Sequence, residues 1–210
     1  VLLGRRDDGS PSALRLRASL RETGVTARHT TDLLIAFRCD ATKLRYASWD
    51  ELLDYCRYSA APVGRHVLDL HGESDVTFGP SDALCTSLQI LNHLQDCTKD
   101  LKALDRCYLP LDAMGRHGAA IEDVLGARET PGLRCVFDEL LSRCDELNAR
   151  AWDLPRRTRD RRLRIETAVI SGLATALTRR LRRGDPVATR VKLTKADAVR
   201  SVAGALRFLP

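Results

Sequence analysis

The chain has 210 residues, 44% of them hydrophobic and 30% charged, with a formal net charge of +6 and a pI near 9.1. That length suits one domain with a full core, and the balance of apolar and charged residues excludes a disordered chain. No apolar run approaches the ~18–20 residues of a membrane-spanning helix, and no secretory signal is visible. Val1-Leu2-Leu3-Gly4 lacks an initiator Met, so an N-terminally truncated chain is expected.

Ser10 stands as an N-cap with Pro11 at the first helical position, which predicts a helix ending near Gly24. A second helix starts at Thr26 or Thr31 and leads through residues 32–37 toward Tyr46. Ser48-x-x-Glu51 is a capping box opening a helix that carries residues 55–65 and closes at Gly72. Pro62 lies inside that helix; it lacks an N–H and clashes with the carbonyl of Tyr58, so a kink is expected. Gly79-Pro80-Ser81-Asp82 reads as the turn and cap before the longest segment.

Between Leu84 and Pro110 there is no Gly or other Pro, which predicts one long helix. Leu84, Leu88, Leu91, Leu94, Leu101 and Leu104 sweep a broad apolar face. Gln89, Asn92, Asp96 and Asp100 are spaced 3, 4 and 4 apart and stack in a narrow stripe on another side. Asp96 and Asp100, one turn apart, offer a hard divalent cation oxygen ligands on one rigid face, with room for water and phosphate oxygens. Periodicity alone favours the solvated side of an amphipathic helix. Short acids and amides in place of long Glu, Lys and Arg pull the other way, and spacing leaves the question open.

Residues 112–118 and 119–125 predict two short helical pieces joined by glycines. Thr130-Pro131 starts a helix to about Trp152, with Leu133, Val136, Phe137, Leu140, Leu141 and Leu147 inward, and Pro155 breaks it. A further helix runs from about Arg159 to Arg183. Gly184-Asp185-Pro186 turns the chain, and Thr194 caps a last helix whose apolar face is Val199, Val202, Leu206 and Leu209. No strand, repeat or linker stands out, so the fold class is all-α, one domain over residues 1–210.

The positive surplus lies in the arginine-rich C-terminal half. Few aromatics and no nucleic-acid-binding motif argue against nucleic acid as a partner, whereas diphosphates and anionic lipid headgroups suit a basic surface. Seven cysteines without CxxC or Cys/His zinc spacing read as reduced thiols acting as small hydrophobes. There is no GxSxG, no phosphate-cradling glycine loop and no dinucleotide fingerprint.

LQILNHLQDCTKDL (residues 88–101) followed by DRCYLP (105–110) resembles the second aspartate-rich motif of the squalene and phytoene synthases. Residues 55–65, YCRYSAAPVGR, resemble the YCxxxAxxVG block of the same family. The Arg57, Ser59 and Pro62-Val63-Gly64-Arg65 variant is most similar to the bacterial hydroxysqualene synthase branch. The late stretch Gly184-Asp185-Pro186-Val187, Arg190-Val191, Leu193 and Lys195 resembles a GDPLxxRVxLxK segment of that branch. The resemblance runs from about Asp32 to the C-terminus. The family also carries a first aspartate-rich motif on a helix facing the second. Asp7-Asp8-Gly9 sits where its tail would fall, but Gly4 and Leu3 stand where an earlier acid is needed. The motif is either upstream or lost, and half the metal carboxylates would then be missing from this chain.

The resemblance implies an isoprenoid synthase-type helical bundle, with the stripe facing an internal cleft and Mg²⁺ held around an isoprenoid diphosphate. It implies Asp96 and Asp100 as metal ligands, Asn92 as an adjacent oxygen ligand and Gln89 behind it as a substrate contact. Tyr55 would steady a cation or the diphosphate, or be simply a half-buried tyrosine. Lys43, Arg45 and Arg57 are candidates to grip diphosphate oxygens, with surface cations as the plain alternative, and Asp40 pairs with Lys43 or touches a metal. The implied reaction takes presqualene diphosphate to hydroxysqualene in the cytoplasm, with contact to a membrane periphery. A non-catalytic remnant of the family and a basic helical scaffold stay open beside it.

Overall fold

The structure is a computed structural model that describes residues 1–5 and 8–209. Ten α-helices and three short 3-10 turns carry the described chain, and no strand is found among the described residues. In order the helices are α1 (Pro11–Thr23), α2 (Arg28–Asp40), α3 (Trp49–Ser59), α4 (Ala61–Leu70), α5 (Phe78–Leu104), α6 (Leu111–Arg116), α7 (Pro131–Ala151), α8 (Asp153–Arg157), α9 (Arg161–Arg183) and α10 (Lys195–Ala205). None is long and apolar enough to cross a membrane.

Several boundaries follow from single residues. Gly24 ends α1 at φ 71°, a left-handed conformation open to glycine at no steric cost. Ser48, Thr130, Asp160 and Thr194 each accept a backbone N–H of the first turn they cap. Half of the capping box at Ser48 forms: Ser48 accepts from Glu51 N, while the Glu51 carboxylate turns to Ala47 N and Lys43.

The expected kink at Pro62 is a complete break. Ala60 leaves helical geometry (φ −121°, ψ −53°), and α4 restarts with Pro62 in its first turn, where a missing N–H is harmless. Gly64 then lets α4 lie against α5: a Cβ there would come 2.3 Å from Ser81 Oγ and 2.7 Å from Cys85 Sγ. The long helix also starts earlier and ends earlier than its composition predicts. Gly79 to Asp82 form its first turns rather than a preceding loop. Asp105, at φ 50°, closes it, because the following backbone pairs elsewhere. Cys107 N bonds Leu44 O at 2.9 Å, Leu111 N bonds Tyr46 O at 2.9 Å, and Asp112 N bonds Ala47 O at 3.0 Å.

α5 is central, packed on α7, α4, α9 and α3. Its Leu84, Leu91, Leu94 and Leu101 are buried, with Leu133, Val136, Phe137, Leu140 and Leu141 of α7 facing the same core. Leu104, past the last core layer, is exposed. One polar link crosses this core. Ser87 of α5 donates to Asn148 Oδ1 at 2.7 Å, Asn148 Nδ2 donates to Thr178 of α9 at 3.0 Å, and Thr178 donates back to Ala174 O. The start of α9 is anchored by Glu73, whose buried carboxylate accepts the backbone N–H groups of Arg159 (2.9 Å) and Asp160 (2.7 Å). All seven cysteines are free thiols, and burial pushes the Cys56 thiol up to about 12.

α10 reverses the expectation drawn from its pattern. At about 100° per residue, Asp197, Ser201 and Ala205 share one side and are buried against α9. Val199, Val202 and Leu206 point the opposite way and are 67%, 50% and 54% exposed. Small residues decide this: Gly172 of α9 approaches Ser201 so closely that a Cβ would sit 3.0 Å from its Oγ. Arg180 and Arg200 neutralise buried Asp197.

Candidate functional site

The stripe on α5 runs from half-buried Gln89 through exposed Asn92 to buried Asp96 and half-buried Asp100. It is thus an open face; the enclosed cleft expected around it is not seen among the described residues, since Asn92 looks directly to solvent. Asp96 is buried by the loop before α10. Arg190 sets Nε 2.7 Å from Asp96 Oδ1 and Nη2 2.9 Å from Oδ2, while the neighbouring Gln95 donates to Val191 O at 2.5 Å. Only the Oδ2 contact has hydrogen-bond alignment, so buried Oδ1 keeps its lone pairs without an aligned donor.

Asp100 sits in this field with its pKa raised, first by desolvation and then by the negative charge of Asp96; Lys99, Arg106 and Arg190 oppose the rise. Two carboxylates one turn apart, one of them pushed up by the other, form an electrostatic sink for a cation. Among the described residues no group of three His, Cys, Asp or Glu side chains is arranged to hold a metal. The donor set is therefore partial: two carboxylates and the Asn92 amide, which fits Mg²⁺ bound by one or two carboxylates and completed by water and phosphate oxygens.

Arg190 is one of the cations that oppose the rise at Asp100. Replacing it with Gln removes an opposing cation, so the Asp100 titration, followed by ¹³C NMR of its carboxyl, is expected to move further up. A raised carboxyl pKa means that the folded chain holds the proton more tightly than the unfolded one. Stability therefore falls as pH rises from the ordinary carboxylate range through the raised value. The fall should be larger in R190Q, and an unchanged or lowered Asp100 midpoint would show that Arg190 does not set this field.

Beside the stripe lies an aromatic cluster. Tyr46, Tyr55 and Tyr108 pack with ring centroids 5.3–5.8 Å apart, and His93 of α5 stacks on Tyr108 at 3.5 Å. Burial is the main cause that raises the Tyr55 pKa, with Tyr108 and a hydrogen bond to Asp40 adding to it. Burial also lowers His93 to about 3, so its ring is neutral. Gln89 Nε2 donates to His93 Nε2 at 3.1 Å, which leaves the imidazole proton on Nδ1. Buried polar atoms without a hydrogen-bond partner gather here: Asp40 Oδ1, Tyr46 OH, His93 Nδ1 and Arg106 Nε. Arg106 reaches the Asp40 carbonyl, joining the end of α5 to α2.

The remaining sequence candidates divide. Lys43 lies against this cluster, its ammonium 4.8 Å from the Tyr46 ring centre and paired with Glu51 rather than with Asp40. Lys43, Tyr55 and Tyr58 line a cavity of about 250 Å³ with Ile35, Ala36 and Cys39. Arg45 binds Asp105, at the end of α5, through Nη2–Oδ1 at 2.5 Å. Arg57 is not brought to this group; it is 67% exposed and pairs with Asp54 one turn earlier. Asp7 lies outside the described residues. Sequence reasoning gave no functional weight to Tyr46, His93, Arg106 and Tyr108, although three of the chain's four tyrosines meet here.

A family model described as squalene/phytoene synthase matches residues 4–197. Hydroxysqualene synthases from Rhodopseudomonas palustris and Sinorhizobium fredii are 46% and 42% identical over 205 residues, 98% of this chain and 70% of each relative. Among solved structures, squalene synthase HpnC from Alicyclobacillus acidocaldarius is 32% identical with a TM-score of 0.77, over 83% of this chain and 66% of that one. A dehydrosqualene synthase is 18% identical with a TM-score of 0.79, over 96% of this chain and 71% of that one, a likeness of fold.

Proposed function

The chain belongs to the squalene/phytoene synthase family, and on that premise we propose that it converts presqualene diphosphate to hydroxysqualene with Mg²⁺. The observation that carries this reading is 42–46% identity to hydroxysqualene synthases over 90–98% of the chain. On it, residues 1–210 work as one domain.

Asp96 and Asp100, with Asn92 beside them, would hold the ion. When bound, Mg²⁺ supplies charge withdrawal from the leaving diphosphate. The chain's own side chains do the rest. The Arg190 guanidinium, now spanning both oxygens of Asp96, presents the same fork to diphosphate oxygens. Lys43 and Arg45 are held by Glu51 and Asp105, acids they can exchange for substrate. Tyr55 is a neutral phenol at physiological pH, as any tyrosine is, and burial raises its pKa further. Its hydroxyl can therefore donate but not act as a base, and the faces of Tyr55 and Tyr108 can steady a carbocation.

The chemistry balances without a reductant. The C–O bond to diphosphate breaks, one water adds its oxygen to the rearranged cation, and one proton leaves. The product and the isoprenoid chains of the substrate are apolar, so a place at the cytoplasmic membrane periphery is part of this reading. Product analysis by mass spectrometry tests it. Hydroxysqualene is expected from presqualene diphosphate and Mg²⁺, with no gain from NADPH. Condensation of farnesyl diphosphate that stops at presqualene diphosphate would overturn the branch and leave the family standing. Squalene formed only with NADPH would place the chain in the squalene synthase branch.

A further inference from the structure

The outward apolar stripe of α10 has no counterpart in the core. Val199 and Val202 on α10, with Leu206 and Leu209 just past its end, are 67%, 50%, 54% and 53% exposed, while the buried side of the helix is Asp197, Ser201 and Ala205. In water this orientation leaves apolar side chains hydrated, which is unfavourable. It becomes favourable when something apolar covers the outer side.

The flank of the stripe says what that cover is. Arg200 and Arg207 line a groove of about 650 Å³ between α9 and α10, together with Arg179, Arg180, Arg183 and Lys192. The single carboxylate in the groove, Asp197, is already shared by Arg180 and Arg200. Arg179, Arg183 and Lys192 make no ion pair among the described residues. Arg207 lies over the stacked rings of Trp152 and Phe208, 4.7 and 5.1 Å from their centres. Of the other exposed apolar side chains, those clustered on α2 and α4 (Leu34, Ile35, Phe37, Val63, Val67 and Leu70) stand among acids as well as bases. There Arg65 is close enough to feel Asp32 and Asp69. Among the described residues, the α10 side joins a bare apolar stripe to a flank whose cations outnumber its acids.

We propose that α10 lies in the surface of an anionic lipid bilayer, with its outer stripe in the acyl boundary and the arginines of the α9–α10 groove against lipid phosphates. An interfacial helix needs this combination of apolar face and basic flank. The proposal deepens the peripheral membrane location given above, but owes nothing to the chemistry. A neutral surface would not repay the desolvation of so many arginines, whereas a sheet of lipid phosphates offers each of them a bidentate anionic partner.

Flotation of the 210-residue protein with vesicles tests this without turnover. Binding is expected to vesicles of phosphatidylcholine with 30% phosphatidylglycerol (about that fraction suffices). It should be at least ~10-fold weaker to phosphatidylcholine alone and to fall with salt. V202E/L206E and R179E/R183E should each lose at least ~10-fold. All four side chains are exposed, so melting temperatures should stay near the parent value, which separates lost docking from lost folding. Millimolar inorganic diphosphate should not release the protein if lipid is the occupant; full release would reassign the groove to a soluble anion. Equal binding to neutral vesicles, no binding at all, or unchanged binding of both variants would overturn the proposal. So would a concentration-dependent dimer that V202E/L206E abolishes in the absence of vesicle binding, which would give the stripe to a second copy. Failure here leaves the reaction untouched, and an inactive protein that still floats would fail the reaction alone.

Discussion

Replacing Asp96 or Asp100 with Asn is expected to cut consumption of presqualene diphosphate at least ~10²-fold, the scale of losing one preorganised electrostatic contact to a developing charge. Asn keeps the shape of the side chain, so the loss isolates charge. At Asp96 the substitution also frees Arg190, whose side chain is 48% exposed and can be solvated where it stands. The fold should therefore survive. At Asp100 the substitution removes a partly desolvated carboxylate that faces the like charge of Asp96, so D100N should be no less stable than the parent. The measurement is single-turnover product formation, with melting temperature followed in parallel. A matched substitution sharpens it: Arg57→Gln, at a side chain paired only with exposed Asp54, should stay within about twofold, as surface ion pairs contribute little. If either aspartate variant stays within tenfold, or if Arg57→Gln is the more damaging, the α5 stripe is not where the leaving group is activated.

A second large effect concerns the core. Phe137 of α7 is 1% exposed and stands among the α5 and α7 leucines. Phe137→Ala is expected to destabilise by about 3–5 kcal/mol, the transfer term plus the cavity left behind. For a chain of this length that is a fall in melting temperature of roughly 6–20 °C. Calorimetry or thermal circular dichroism reads it directly. A shift under about 2 °C would mean that the α5–α7 contact is not what holds the described helices together.

Much of this architecture was legible locally. Ser48, Thr130, Asp160 and Thr194 are caps because their short oxygens reach the first-turn N–H groups, and that chemistry acts within four residues. Features set by distant chain were not legible. Nothing within residues 84–110 says that the helix must stop at Asp105; the backbone of residues 44–47 takes its hydrogen bonds. Pro62 announces a disturbance, but its depth was set by Gly64 and Ser81 drawing α4 onto α5. The stripe of Gln89, Asn92, Asp96 and Asp100 was readable as a pattern, yet the cation that meets it, Arg190, comes from 94 residues away. At α10 periodicity identified the apolar side correctly and said nothing about which side faces inward. Gly172 and Ser201 decided that by their size.

The buried link at Asn148 reaches further than its own three hydrogen bonds. Ser87 and Asp96 ride on the same helix nine residues apart, about 13 Å of axial rise. If α5 rolled by even a fraction of a turn, Asn148 would lose Ser87 on one side while still bound to Thr178 on the other. The amide thus works as an indexing pin on a shaft: from the buried core it sets the compass bearing at which the carboxylates leave the helix.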